Sequence, residues 1–254
     1  MDEREDDELE TPPGEEPSGE GPSFTIRGTA FRVPRPEPGL YLVATPIGNL
    51  GDVTLRALEI MAGADRLACE DTRVTAKLLA RYGIRRRMVS YHEHNAREAG
   101  EALLADLEAG RSVALVSDAG TPMVSDPGFR LGELAAERGI PVVAAPGASA
   151  PLTALLVSGL PTDGFFFAGF PPPKHAARRT RLEALARVPG TLVFFEAPHR
   201  IAESLADMGA VLGERPAAVC RELTKRYETV YRGSLGELAE RFAAMESVRG
   251  EIVV

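Results

Sequence analysis

Cysteine is scarce in this 254-residue chain: Cys69 and Cys220 stand far apart, each inside an apolar run. That excludes a Cys-rich zinc module or a disulfide scaffold and suits buried thiols in a reducing compartment. Long apolar runs are missing too. The longest uncharged stretch, 139–162, contains Pro141, Pro146, Pro151 and Pro161 with three glycines, so it cannot be one continuous membrane helix. The acidic start, MDEREDDELE, does not read as a secretory signal, and no fixed-period repeat is visible. What is present is ordinary globular usage, 44% hydrophobic and 26% charged, which excludes a wholly disordered or collagen-like chain. The length allows one large domain or two small ones, and the chain reads as soluble and cytoplasmic.

The net charge of −8 is unevenly placed. Residues 1–39 hold 11 acids against 4 bases, and the rest of the chain 26 against 25. The body is therefore nearly neutral, and a nucleic-acid partner is not excluded by the acidic total. Residues 1–38 also carry seven of the 20 prolines and few aliphatics, which predicts a disordered or loosely attached tail.

From Gly39 onward short apolar runs alternate with helical periodicity. Strands are expected over 40–44, 66–70, 88–91, 112–116 and 141–145, with helices over 54–62, 74–82, 97–109, 129–138 and 148–156. Five strand–helix repeats specify a mainly parallel sheet covered on both faces, an N-terminal lobe over 39–158. After the linker 158–164, strands are expected over 165–170, 191–196, 217–222 and 251–254, and helices over 175–187, 200–212 and 235–245. The polar alternation between Thr224 and Gly233 suits an antiparallel edge strand. A second α/β lobe over 159–254, with a mixed sheet and a cleft between the lobes, completes the predicted architecture.

In such sheets ligands bind outside the carboxyl ends of the strands, and the turns there are unusually rich. The first, from Thr45 to Asp52, has glycines that permit close backbone approach, with Asp52 an N-cap candidate; it is neither G-x-G-x-x-G nor a Walker loop. Residues 117–128 form a long connection with two Asp and two Gly. Asp118 could accept ribose hydroxyls there, and Asp126 suits a cap or turn. Pro146 to Ala150 offers small residues at a helix start. Glu70, Asp71, Thr72 and Arg73 crowd one strand end, either as chemistry or as a solvated cap. Tyr91-His92-Glu93-His94-Asn95 places two histidines two apart with no third metal ligand implied, so no metal is expected. Basic clusters at Arg81, Arg85, Arg86 and Arg87, at Lys174, His175, Arg178, Arg179 and Arg181, and at Arg221, Lys225 and Arg226 are solvated faces or a polyanion surface.

Taken together and in order, A-T-P-I-G-N-L at 44–50, E-D-T-R at 70–73, H-E-H-N at 92–95, S-D-A-G-T-P at 117–122, P-G-A-S at 146–149 and R-E-L-T-K at 221–225 resemble the ribosomal-RNA branch of the tetrapyrrole methylase (class III methyltransferase) superfamily. P-G-A-S is common to the superfamily, whereas E-D-T-R with S-D-A-G-T-P is specific to that branch. The resemblance covers about residues 39–254. It implies two α/β lobes with the cofactor in the cleft, a homodimer, and transfer of a methyl group from S-adenosyl-L-methionine to the ribose 2′-hydroxyl of a cytidine in the decoding region of 16S rRNA in the small ribosomal subunit. It also implies that Pro46, Ile47, Gly48, Asn49, Asp118, Ala119, Gly120, Thr121, Ser149 and Ala150 line the cofactor, with Phe195, Cys220 and Ile252 closing over adenine or methionine.

A sulfonium donor already carries an activated methyl. The protein must then align a ribose oxygen and relieve it of its proton. Candidate bases are Glu70, Asp71, His92 and Glu222, with Arg73 and Lys225 holding phosphate or a developing alkoxide; the Glu222–Lys225 pair could equally be a surface ion pair. Tyr91 and Phe170 are candidates for base stacking. Two rivals stay open: a methyltransferase of the same fold acting on a corrin or diphthine-type substrate, and a ribosome-associated nucleotide-binding module without turnover. E-D-T-R and H-E-H-N argue against the first.

Overall fold

Apolar side chains alternate between two faces of a central sheet, and that alternation organises the first part of the computed structural model, which describes residues 21–92, 94–122 and 129–254, apart from the Phe129 side chain. The described residues divide into two compact units, one from 21–45 and 53–147, the other from 46–52 and 148–254.

The first unit begins with a hairpin, β1 (Ser23–Ile26) and β2 (Thr29–Arg32), paired antiparallel around Arg27-Gly28. Both turn residues have positive φ (47° and 81°), as a two-residue type I′ turn requires. This corrects the expectation of a loose tail for its described part; residues 1–20 lie outside the described residues. The hairpin is held because Phe24 and Val33 are buried in the core and the Thr25 N–H donates to the Tyr82 carbonyl at 2.7 Å. A Cβ on Gly63 would stand 2.6 Å from the Pro34 carbonyl oxygen, so the segment after β2 lies directly on the following helix.

The sheet follows: β3 (Gly39–Val43), α1 (Leu55–Gly63), β4 (Arg66–Cys69), α2 (Thr72–Arg81), β5 (Met88–Ser90), α3 (Ala96–Glu108), β6 (Ser112–Val116), α4 (Phe129–Glu137) and β7 (Val142–Ala145). The strands are all parallel in the order β5-β4-β6-β3-β7. Tyr41, Val43, Leu67 and Val116 face a core with Leu58, Met61, Leu78 and Leu79 of α1 and α2; Leu40, Ala68, Val113 and Leu115 face one with Leu103, Leu107 and Leu131 of α3 and α4. Each such leucine contributes about 1.5–3 kcal/mol by leaving water. Thr54, not Asp52, caps α1, accepting the Ala57 N–H at 3.1 Å; Asp52 ends a one-turn 3-10 helix, Leu50–Asp52.

The second unit contains α5 (Ala150–Ser158), β8 (Phe165–Phe167), α6 (His175–Leu185), β9 (Thr191–Val193), β10 (Phe195–Glu196), α7 (Ile201–Leu212), β11 (Pro216–Arg221), β12 (Thr229–Ser234), α8 (Leu235–Ala243) and β13 (Ile252–Val253). The division therefore falls before α5, not at the linker 158–164, because Ala154 and Leu155 pack with Val193, Cys220 and Val253 of this unit. The strand expected over 191–196 is two: β9 pairs parallel with β8, and after Phe194 the chain turns to pair β10 antiparallel with β13 in the order β10-β13-β11-β12. Parallel and antiparallel pairings together make the unit's strands mixed. Helices α6, α7 and α8 cover one face through Leu182, Leu205, Met208, Leu238 and Phe242. β12 is the edge strand the alternation predicts. Among the described residues no helix is long and apolar enough to cross a membrane.

Candidate functional site

In the first unit, residues converge where parallel strands β4, β6 and β3 end side by side. Thr45, one residue past β3's flank, forms a bridge with Gly120: each N–H donates to the other's carbonyl, at 2.9 and 3.0 Å. The buried Thr45 hydroxyl donates to the Ser117 carbonyl at 2.8 Å. Gly120 has φ 81°, a conformation open to glycine, which lets the S-D-A-G-T-P loop fold back on β3. Asp118 is half-buried, and its Oδ1 accepts the Asp71 N–H at 2.9 Å. That bond ties E-D-T-R to S-D-A-G-T-P. Ala119 and Thr121 are exposed beside it, and Gly147 lies so near Ala44 that a Cβ there would stand 3.0 Å from Ala44 Cβ.

Asp71 is the N-cap of α2, accepting the Arg73 N–H at 2.8 Å, and it also pairs with the Arg73 guanidinium at 2.6 Å. The Arg73 side chain beside it holds the Asp71 carboxyl at a pKa of about 2. A base that weak is a poor proton acceptor near neutral pH. Glu70 lies next to it, its carbonyl accepting from the Ser90 hydroxyl of β5 at 3.3 Å. His92 follows β5; its N–H donates to Asn95 Oδ1 at 2.8 Å, and Asn95 Nδ2 donates to the Ser90 carbonyl at 2.8 Å, so the turn is pinned from both sides. His92 Nδ1 is buried and has no hydrogen-bond partner among the described residues. Tyr91 is buried in the α3 core rather than free for stacking. Glu93 and residues 123–128, Asp126 included, lie outside the described residues.

The second unit brings together another set. The Asn49 N–H donates to Thr224 Oγ1 at 3.2 Å, and a Cβ on Gly48 would stand 2.5 Å from Lys225 Cγ. Gly48 thus admits the lysine stem against the backbone. Lys225 Nζ reaches Glu222 at 2.9 Å and Glu251 at 3.0 Å. Burial works against the lysine's charge, but these two carboxylates outweigh it and its pKa is raised. The lysine in turn lowers that of Glu222. Glu222 and Thr224 both sit at positive φ, 54° and 65°, and a β-branched residue there is strained.

Ile47, Phe195 and Cys220 share one apolar cluster, with Ala150 against it. Burial raises the Cys220 thiol to about 11, so it behaves as a small apolar group. The Ile252 side chain packs into the opposite core and does not join them. Ser149 is the N-cap of α5 without a side-chain cap bond. Exposed Phe170 leans on Phe195 at 5.4 Å between ring centroids. One basic position must be removed from the polyanion cluster: Arg178 is 1% exposed, its Nε donating to buried Asp207 at 2.6 Å.

Sequence reasoning passed over Thr45, Thr224 and Glu251 as site residues. The first two stand inside quoted motifs and were legible there; Glu251 gives no signal. Among the described residues no three or more His, Cys, Asp or Glu are grouped to hold a metal.

Comparison with known proteins places the chain. A family model described as tetrapyrrole (corrin/porphyrin) methylases matches residues 39–239. A ribosomal RNA small subunit methyltransferase I from Mesorhizobium japonicum is 63% identical over 86% of this chain and 74% of its own length. One of the same description from Escherichia coli O157:H7 is 48% identical over 85% of this chain and 76% of its own. Among solved structures, a diphthine synthase superposes with TM-score 0.63 at 17% identity, over 85% of this chain and 88% of that one. A uroporphyrin-III C-methyl transferase from Thermus thermophilus, complexed with S-adenyl homocysteine, gives 0.58 at 24%, over 85% and 95%.

Proposed function

The chain belongs to the tetrapyrrole methylase family, in its ribosomal RNA small subunit methyltransferase I branch, and from that membership we propose that it methylates the ribose 2′-hydroxyl of a cytidine in the decoding region of 16S rRNA. The methyl donor is S-adenosylmethionine, which when bound supplies a methyl already activated by its sulfonium. The reading includes a homodimer working in the cytoplasm on the small ribosomal subunit. The observation that carries it is the Asp71–Asp118 bond, which joins the two motifs specific to the rRNA branch at adjoining strand ends.

The residues fit the donor. One oxygen of Asp118 is used by Asp71, and the other carries no bond among the described residues, which leaves it to accept a ribose hydroxyl. Ala119, Gly120 and Thr121 offer main chain at an exposed loop, and Gly147 leaves room beside Ala44. From the second unit we assign Pro46 to Asn49, Ser149 and Ala150 to donor contacts, Phe195 and Cys220 to apolar cover, and Ile252 to contact through its main chain.

For the proton, Asp71 and Glu222 are each engaged by a cation and held charged, which suits them to orient Arg73 and Lys225 rather than to act as bases. Glu70 and His92 remain, and we assign the role to His92, whose Nδ1 has no competing partner among the described residues. We assign phosphate contact to Arg73, whose side chain is 87% exposed. Labelled S-adenosylmethionine incubated with 30S subunits, in parallel with a free tetrapyrrole, tests the reading: label enters the subunit alone, and His92→Gln slows transfer about a hundredfold or more while donor binding is unchanged. Label in the tetrapyrrole, or in neither, overturns it.

A further inference from the structure

The sequence from Thr72 to Tyr91 contains six cations, Arg73, Lys77, Arg81, Arg85, Arg86 and Arg87, and no acid. On α2, Thr75, Leu78 and Leu79 are buried, so Arg73, Lys77 and Arg81 share the opposite, exposed face at i, i+4 and i+8. Successive positions on that face are about 6 Å apart along the axis, a spacing comparable to adjacent phosphates on an RNA strand. Arg85 and Arg87 continue the charge beyond the helix and are exposed, whereas the Arg86 guanidinium is used by the Ala64 carbonyl. Arg73 is neutralised by Asp71; Lys77, Arg81, Arg85 and Arg87 have no ion pair among the described residues. At the far end the β1–β2 hairpin docks through Thr25 on Tyr82 and presents Arg27, exposed at its tip.

A merely solvated helix face mixes signs, because like charges at i,i+4 repel by about 0.2–0.5 kcal/mol per pair. Here the Lys77–Arg81 pair keeps that repulsion uncompensated, which a bound polyanion relieves. The near end of the row is Asp71, tied to Asp118. We infer that the exposed face of α2 and the arginines after it form a track for an RNA sugar–phosphate backbone, leading the strand toward the sheet end that holds Asp118. The inference rests on the rRNA reading above and adds the surface by which that substrate is gripped.

The test is binding of a protein-free 16S rRNA fragment and of 30S subunits at several salt concentrations, for wild type, Lys77→Gln/Arg81→Gln and Lys77→Arg/Arg81→Lys, with S-adenosylmethionine calorimetry as the check on folding. Two lost phosphate contacts lower the log–log salt slope by about 1.4 and the affinity roughly tenfold at physiological salt. The charge-keeping variant binds like wild type, and all three bind donor equally. An unaltered slope and affinity in the glutamine variant overturns the track alone. Loss confined to 30S, with the free fragment bound normally, overturns RNA as the partner. Absence of salt-dependent RNA binding by wild type overturns the rRNA reading and the track together.

Discussion

Among the described residues the first unit buries no charged side chain, whereas the second buries Arg178, Glu196 and Asp207. Charge in the first unit stays at strand ends and on helix faces, paired there at the surface, as in Arg66 and Arg111 with Asp106, or left to solvent. In the second it works as internal framing: Arg178 and His175 of α6 meet Asp207 of α7, and Glu196 accepts from Arg200 and the Ser204 hydroxyl. The same residue types thus stay at the surface in one unit and frame the interior of the other, and burial separates the two.

The largest expected effect breaks that framing. Asp207→Ala leaves Arg178 charged and enclosed, and should cost about 3–5 kcal/mol in a denaturant titration. A loss below about 1 kcal/mol would mean that the second unit's buried charges are as dispensable as surface pairs. Next is Gly48→Ala, whose methyl must displace Lys225 from Glu222 and Glu251; overpacking of this kind costs about 1–3 kcal/mol, read by the same titration. No loss would show the Glu222–Lys225 turn to be no tighter than the exposed loops of the first unit.

The smallest effect concerns pH. The folded pKa of Asp71, about 2, lies below the value of about 3.9 for a free carboxyl. The pair with Arg73 therefore contributes stability above pH 4 and loses it as pH falls toward 2. Asp71→Asn keeps the helix cap and should flatten that part of the stability curve slightly, the pair being exposed. An identical curve in the variant would show that Arg73 does not hold Asp71 in solution.

The first unit was legible because alternate apolar residues and cap signals agree: 112–116 is β6 as expected, and the other strands and helices shift by a residue or two. The hairpin at 23–32 was hidden by its setting of proline and acid, since few residues, chiefly Phe24, Ile26 and the following Val33, bring it into the core. Arg178 has the charge of a surface cation, but its spacing of four from Leu182 and seven from Leu185 puts it on the buried face of α6. In the site, the resemblance brought E-D-T-R and S-D-A-G-T-P forward, but not the bond between them, nor the positive φ of Glu222 and Thr224, which arise from tertiary packing rather than from local preference.

Nucleoside mass spectrometry of 16S rRNA, from 30S subunits incubated with the protein and isotopically labelled S-adenosylmethionine, addresses the central claim most directly. The account predicts the label in 2′-O-methylcytidine. Label in a base-methylated nucleoside, or none in the rRNA, would contradict it.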